Sequence, residues 1–160
     1  MKDEKQQDPE TRARSVALRL LARREHSRQE LWLKLRQRKI EPDVIDAVLD
    51  EYEAEGWLDD QRFAEVFTRQ RMDMSYGPVR ILAELQQRGV HQSPECLNEV
   101  SEEYWSELAA RLRERRFGLA PVNDDLAEKL RQARFLARRG FSSSQVEKAL
   151  GVTDLDELSF

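Results

Sequence analysis

The sequence predicts an all-α fold of three tandem three-helix repeats, stacked into an elongated, curved rod. One string carries most of this reading. "LRQRKI" (35–40), "LQQRGV" (85–90) and "LARRGF" (136–141) share the pattern Leu-x-x-Arg-[Gly/Lys]-apolar at nearly even intervals. A second observation is the period: apolar residues recur every three or four positions. No stretch alternates with period two over β-branched residues, so no sheet is expected. A third is size, since a unit of about fifty residues buries too little apolar surface alone. Stacking gives each copy a cover.

In the first repeat, Val16, Ala17, Leu20 and Leu21 make one face of a helix. Ser27-x-x-Glu30 is a capping box, in which hydroxyl and carboxylate satisfy two orphan backbone donors, and Leu31 and Leu35 follow at helical spacing. Pro42 suits the first turn of the third helix. There Val44, Ile45, Val48, Leu49 and Tyr52 form a stripe opposite Asp46, Asp50 and Glu53, and Gly56 is a stop.

The second repeat follows suit. Asp59 can cap a helix carrying Phe63, Val66 and Phe67; Gly77-Pro78 opens one carrying Ile81, Leu82 and Leu85; Ser93-Pro94 opens a third. In the third repeat, "RERRFGLAP" (113–121) is a break and Asn123 a cap. Leu126, Leu130 and Ala133 form the next stripe, and Ser142-x-x-Gln145 is another capping box. "NEVSEEYWSEL" (98–108) lacks a Gly or Pro break, so either two helices run together there or Ser101 caps a new one. The expected organisation is a disordered polar tail over 1–10, repeats over 11–57, 58–105 and 106–152, and a tail over 153–160. The recurring string is then the hinge between helices two and three of each repeat. Its glycine (or Lys39) takes a left-handed exit, the next apolar residue pins the turn, and the arginine suits the helix C-terminal dipole.

The net charge of −4 argues against a polycation that coats DNA, but the charge is segregated. Residues 11–39 carry a balance of +8, residues 41–60 one of −9, and residues 108–120 one of +3. The polar N-terminus offers no apolar run for a signal peptide, and no stretch approaches a membrane span. A lone cysteine, Cys96, fits a reducing compartment, so a cytoplasmic location is expected; Cys96 itself reads as core filler. His26 and His91 lack a second ligand at metal-binding spacing, and no phosphate loop, dinucleotide turn or nucleophile elbow occurs. The expectation is a binding protein without cofactor or metal, not an enzyme.

"EGWLDDQRFAEVF" (55–67) and "SYGPVRILAELQQRGV" (75–90), with "REHSRQELWLKL" (24–35) and "RFLARRGF" (134–141), resemble the RecX family of regulators of the bacterial RecA recombinase. The blocks stand in the family's order and span nearly the whole chain, with Ser75 where the family often has Gly or a basic residue. The resemblance implies three three-helix units. It also implies binding to the RecA filament on single-stranded DNA, with inhibition of ATP hydrolysis, strand exchange and coprotease activity, which restrains recombination and the SOS response.

Within the matched blocks, Asp60, Arg62, Arg69, Arg71, Tyr76 and Arg80 are the candidate filament contacts, Tyr76 as an aromatic at a loop tip. Trp57, Leu58 and Phe63 read as packing. A basic patch of Arg12, Arg19, Arg23, Arg28, Lys34, Arg38, Arg111 and Arg115 could face filament or phosphate, with weak direct DNA contact. A monomer is expected. The competing readings are a stand-alone DNA-binding helical protein and a generic helical-repeat scaffold.

Overall fold

The computed structural model describes residues 7–159; the tail expected over 1–10 lies mostly outside them. Among the described residues there are nine α-helices, one 3-10 turn and no strand. The chain divides into two compact units. The first takes the chain through Val66 together with Leu85–Gln92, and the second takes Phe67–Glu84 together with Ser93 onward.

In the first unit, α1 (Pro9–Arg23), α2 (Arg28–Gln37) and α3 (Pro42–Ala54) enclose a core that includes Ala13, Val16, Leu31, Leu35, Ile45, Leu49 and Tyr52. Helix α1 starts earlier than expected, because the Asp8 carboxylate accepts from the Thr11 N–H at 3.0 Å and Pro9 fills the first helical position. Residues 9 and 10 are therefore helical, not tail. The Ser27 capping box forms as expected. Each basic–acidic helix pair neutralises part of its own field: Arg28 lies 2.8 Å from Asp50 and 3.0 Å from Glu53, and Arg14 2.7 Å from Glu51.

The recurring string makes one hinge geometry three times. Lys39 (φ 66°), Gly89 (φ 82°) and Gly140 (φ 101°) take the left-handed position. In each, the following apolar N–H reaches back five residues to a leucine carbonyl: Ile40 to Leu35 at 3.4 Å, Val90 to Leu85 at 2.9 Å, Phe141 to Leu136 at 3.3 Å. The left-handed residue bonds three back, to Arg36, Gln86 and Ala137, which completes a Schellman turn and satisfies helix-end carbonyls.

Helices α4 (Asp60–Asp73) and α5 (Pro78–Gln87) supply residues to both units. Asp59 caps α4, its carboxylate accepting from Gln61 and Arg62 N–H groups. The one-turn helix α6 (Glu95–Asn98) follows, with Cys96 only partly buried, not core filler.

The second unit is built mainly on α7 (Glu102–Phe117), α8 (Leu126–Arg138) and α9 (Ser143–Leu150). Ser101 caps α7 at the Tyr104 N–H, so two separate helices form. A repeat border at 105 would cut α7 inside its first turns. Ala109 and Ala110 of α7 and Ala149 of α9 are fully buried, and small side chains let the two helices pack closely. Arg113 lies at the centre, 0% exposed. Its guanidinium donates to Gln132 Oε1 at 2.8 Å and to the carbonyls of Ala149, Val152 and Ala120 at 3.2, 2.9 and 2.9 Å.

That buried cation explains a correction. The stripe expected on α8 through Leu126 and Leu130 faces solvent, with the two side chains 69% and 43% exposed. Helix α8 instead turns Gln132 and Leu136 inward, since Gln132 serves Arg113. The cap is Asp125, not Asn123. Trp57, expected in packing, is 49% exposed and meets Tyr52 edge to face, ring centroids 5.2 Å apart; Val66 is also exposed. The C-terminal stretch is not a free tail over its described part. Leu155–Glu157 forms a 3-10 turn, and Ser159 bonds Glu107 through both its N–H (2.8 Å) and hydroxyl (2.7 Å).

Candidate functional site

Helix α4 ends in a further Schellman turn: the Ser75 N–H bonds to Met72 and the Tyr76 N–H to Arg71. Here the left-handed position is held by a serine (φ 64°), a costly conformation for a residue with a Cβ. Ser75 is buried, and its hydroxyl accepts from Arg115 at 2.7 Å. The turn places Tyr76 at the C-terminal end of α4.

The next residues dock on the α8–α9 hinge. The Gly77 N–H donates to the Arg139 carbonyl at 2.8 Å, and the Val79 N–H to Gly140 at 3.0 Å. Backbone meets backbone so closely that a Cβ on Gly77 would lie 2.4 Å from the Gly140 carbonyl atoms. Gly77 is glycine for space, and Gly140 for space and for its left-handed φ.

This contact gathers guanidinium groups around the Tyr76 ring. Arg139 lies 4.0 Å from its centroid, Arg80 4.3 Å and Arg71 5.8 Å. Arg139 also donates to the Ser75 and Met74 carbonyls, and Arg80 to Arg138. One carboxylate, Glu84, sits among them, 2.6 Å from Arg71 and 3.1 Å from Arg80. Burial alone would raise the Glu84 pKa, but hydrogen bonds from Arg71 and Arg80 outweigh it and hold the carboxyl below its ordinary range. Glu84 pairs with Arg71 and Arg80, while Arg139 and Arg115 bond to backbone carbonyls and to the Ser75 hydroxyl, so the ring gathers more guanidinium groups than this carboxylate pairs. A half-buried aromatic ringed by guanidinium groups suits a surface for an anionic partner.

The structure brings Arg71, Tyr76 and Arg80 together and adds Arg115 from the basic patch. Arg69 is exposed further back on α4. Asp60 and Arg62 belong elsewhere, in the first unit. The Asp60 carboxylate accepts the Arg28 N–H at 2.7 Å, and its pKa is raised, chiefly by burial. Arg62 donates to Glu25 at 2.5 Å and to the Gly56 and Trp57 carbonyls. Both have partners in the local fold, Asp60 half-buried and Arg62 still exposed.

The rest of the basic patch is dispersed. Arg19 and Arg23 are exposed on α1, while Arg28 turns to α3. Arg12 donates to the Arg38 carbonyl at 2.6 Å, Arg38 itself lies exposed at the hinge, and Arg111 is partly buried on α7. Lys34 lies 3.0 Å from Nε2 of His26, whose Nδ1 lies 3.0 Å from the Arg24 carbonyl. These partners call for a neutral ring: Nδ1–H donates to the carbonyl and Nε2 accepts from the ammonium.

His26 is 1% exposed, and burial first, then the cations Arg24 and Lys34, lowers its pKa. A lowered histidine pKa means the unfolded chain binds the proton first. Its contribution is therefore constant above the unfolded value of about 6.5 and declines as pH falls from there toward the folded value. The protein is expected to lose thermal stability between pH 7 and pH 5. Melting curves across that window should show a shallower decline for His26→Gln; equal slopes would contradict the neutral buried ring.

Sequence reasoning missed Arg139, Ser75 and Glu84. Arg139 was assigned only to the helix dipole, and no local pattern announces a contact with a loop more than sixty residues away. The paired glycines were the available signal. Among the described residues, no group of His, Cys, Asp or Glu could hold a metal ion, and no helix is long and apolar enough to cross a membrane.

Comparison with known proteins yields three consecutive family matches: the first three-helix domain of RecX over residues 13–51, the second over 59–93 and the third over 102–150. A protein of Halorhodospira halophila named "Regulatory protein RecX" is 50% identical over 147 residues, covering 90% of this chain and 89% of that protein. One of Pseudomonas tolaasii, with the same name, is 41% identical over 146 residues, covering 90% and 93%. The crystal structure of RecX from Lactobacillus salivarius shares the fold, with a TM-score of 0.74 at 21% identity, over 94% of this chain and 98% of that one.

Proposed function

Because the chain belongs to the RecX family of regulatory proteins, we propose that it is a negative modulator of the RecA recombinase. In this reading it binds the RecA filament on single-stranded DNA and inhibits ATP hydrolysis, strand exchange and coprotease activity. The observation that carries the reading is the run of three family domains, supported by relatives of the same name along most of their length.

The structural features suit a polymeric partner. Three domains in one chain offer several contacts to a repeating lattice, and linked weak contacts gain from effective concentration. The Tyr76 cluster is the contact we assign first. Its guanidinium groups are pre-oriented by the ring, by Glu84 and by backbone carbonyls, so less freedom is lost on binding an anionic surface. The acidic α3 disfavours naked DNA, consistent with preference for a coated strand.

The experiment compares binding of labelled protein to the RecA–ssDNA filament and to the bare oligonucleotide across a salt series. Tighter binding to the filament at every salt concentration is expected. Binding as tight to the bare strand would favour the DNA-binding reading. Arg71→Gln/Arg80→Gln should weaken filament affinity by about tenfold, or about 1.4 kcal/mol. Glutamine is chosen because glutamate would place two further carboxylates beside Glu84. Unchanged affinity would remove this cluster from the interface.

A further inference from the structure

Helix α7 holds a carboxylate that the arginine cluster does not use. Glu107 is 5% exposed. Its Oε1 accepts both Ser159 hydrogen bonds, while Oε2 is closed to solvent and has no hydrogen-bond partner. A buried carboxylate oxygen without a donor is unfavourable, and native proteins rarely leave one so.

Beside it lies a cavity of about 200 Å³, lined by Glu103, Ser106, Glu107, Lys148, Val152, Glu157 and Leu158. Its chemistry is one-sided. The Ser106 hydroxyl already donates to the Glu102 carbonyl at 3.0 Å, so it offers only lone pairs. Three carboxylates face one ammonium, and Val152 and Leu158 supply apolar wall. Acceptors short of donors, between apolar surfaces, match a planar guanidinium on an aliphatic stem better than a compact, strongly hydrated ammonium.

We propose that this cavity receives an arginine side chain presented by a protein partner, its N–H groups seated on Glu107 Oε2 and Ser106 Oγ. The stretch that carries Glu157, Leu158 and Ser159 forms one wall. Lifting Ser159 from Oε1 opens the carboxylate without disturbing α7 or α9. The inference does not depend on the recombinase reading, since the test contains no recombinase.

The test is an NMR titration of the full chain with N-acetyl-arginine amide, with N-acetyl-lysine amide and N-acetyl-glycine amide as controls. Saturable shifts confined to the amides of Ser106, Glu107, Val152 and Leu158 are expected with the arginine probe. The lysine probe should bind several-fold more weakly and the glycine probe not at all. Glu107→Gln keeps the shape of the side chain and should cut arginine affinity at least tenfold. Should that variant fail to fold, Ser106→Leu, which fills the cavity, should abolish the shifts. Shifts spread equally over the acidic face of α3, equal lysine affinity, or binding undiminished in a folded variant would each overturn the proposal.

Discussion

Arg113→Met is expected to destabilise the protein by about 3–5 kcal/mol, because four neutral acceptors lose their donors at once, offset in part by removing a buried charge. Arg113 is fully buried, and burial lowers its pKa, yet arginine stays protonated at neutral pH. Among the described residues, none of its hydrogen-bond partners is a carboxylate. It is held by Gln132 and by three carbonyls, from the loop after α7 and from the end of α9 and the residues beyond it. Methionine approximates the apolar volume but leaves those acceptors without donors, each worth about 1–3 kcal/mol where water cannot replace the bond. Arg113→Lys should recover only part of the loss, because one ammonium cannot span four acceptors in a fork. Denaturant unfolding checks both variants. A loss below about 1 kcal/mol for methionine would mean that the network is dispensable.

The second large effect is expected at the glycine pair. Gly77→Ala places a methyl 2.4 Å from the backbone of Gly140, and Gly140→Ala places one 2.3 Å from Arg80 Cβ at φ 101°. Neither clash ends on a flexible side-chain tip, so the loop must leave the hinge and lose the Gly77–Arg139 and Val79–Gly140 bonds. A cost of about 2–4 kcal/mol is expected for each, from steric strain and lost hydrogen bonds together. Gly56→Ala is the control. It takes the left-handed position of the same kind of turn (φ 78°) but has open space around it, and should cost about 1 kcal/mol from conformation alone. If all three alanines cost the same, close approach is not what holds the Tyr76 loop. Folded Gly77→Ala should also bind filament less well, since the ring loses Arg139.

The hinges and caps were legible because their signals are local. A Schellman turn needs a left-handed residue and an apolar residue after it, both adjacent in sequence, and Lys39–Ile40, Gly89–Val90 and Gly140–Phe141 all obey. The same holds for the capping boxes at Ser27 and Ser142. The inward face of α8 was not legible. Leucine spacing pointed to Leu126 and Leu130, but the helix is rotated by a polar demand from Arg113, a contact nineteen residues distant in sequence. Arg71, Tyr76 and Arg80 were nominated as neighbours along the chain. What unites them with Arg139 is a backbone contact with no local signature, and the side-chain partners of Asp60 and Arg62, the Arg28 N–H and the Glu25 carboxylate, are likewise more than thirty residues away in sequence.

In the proposed function, this chain restrains a recombinase filament by binding it. The most direct measurement is the rate of ATP hydrolysis by RecA on single-stranded DNA as the purified protein is titrated in. A falling rate at substoichiometric amounts is expected, with Arg71→Gln/Arg80→Gln needing a higher concentration for the same effect. Hydrolysis undiminished at a molar excess of wild-type protein would contradict it.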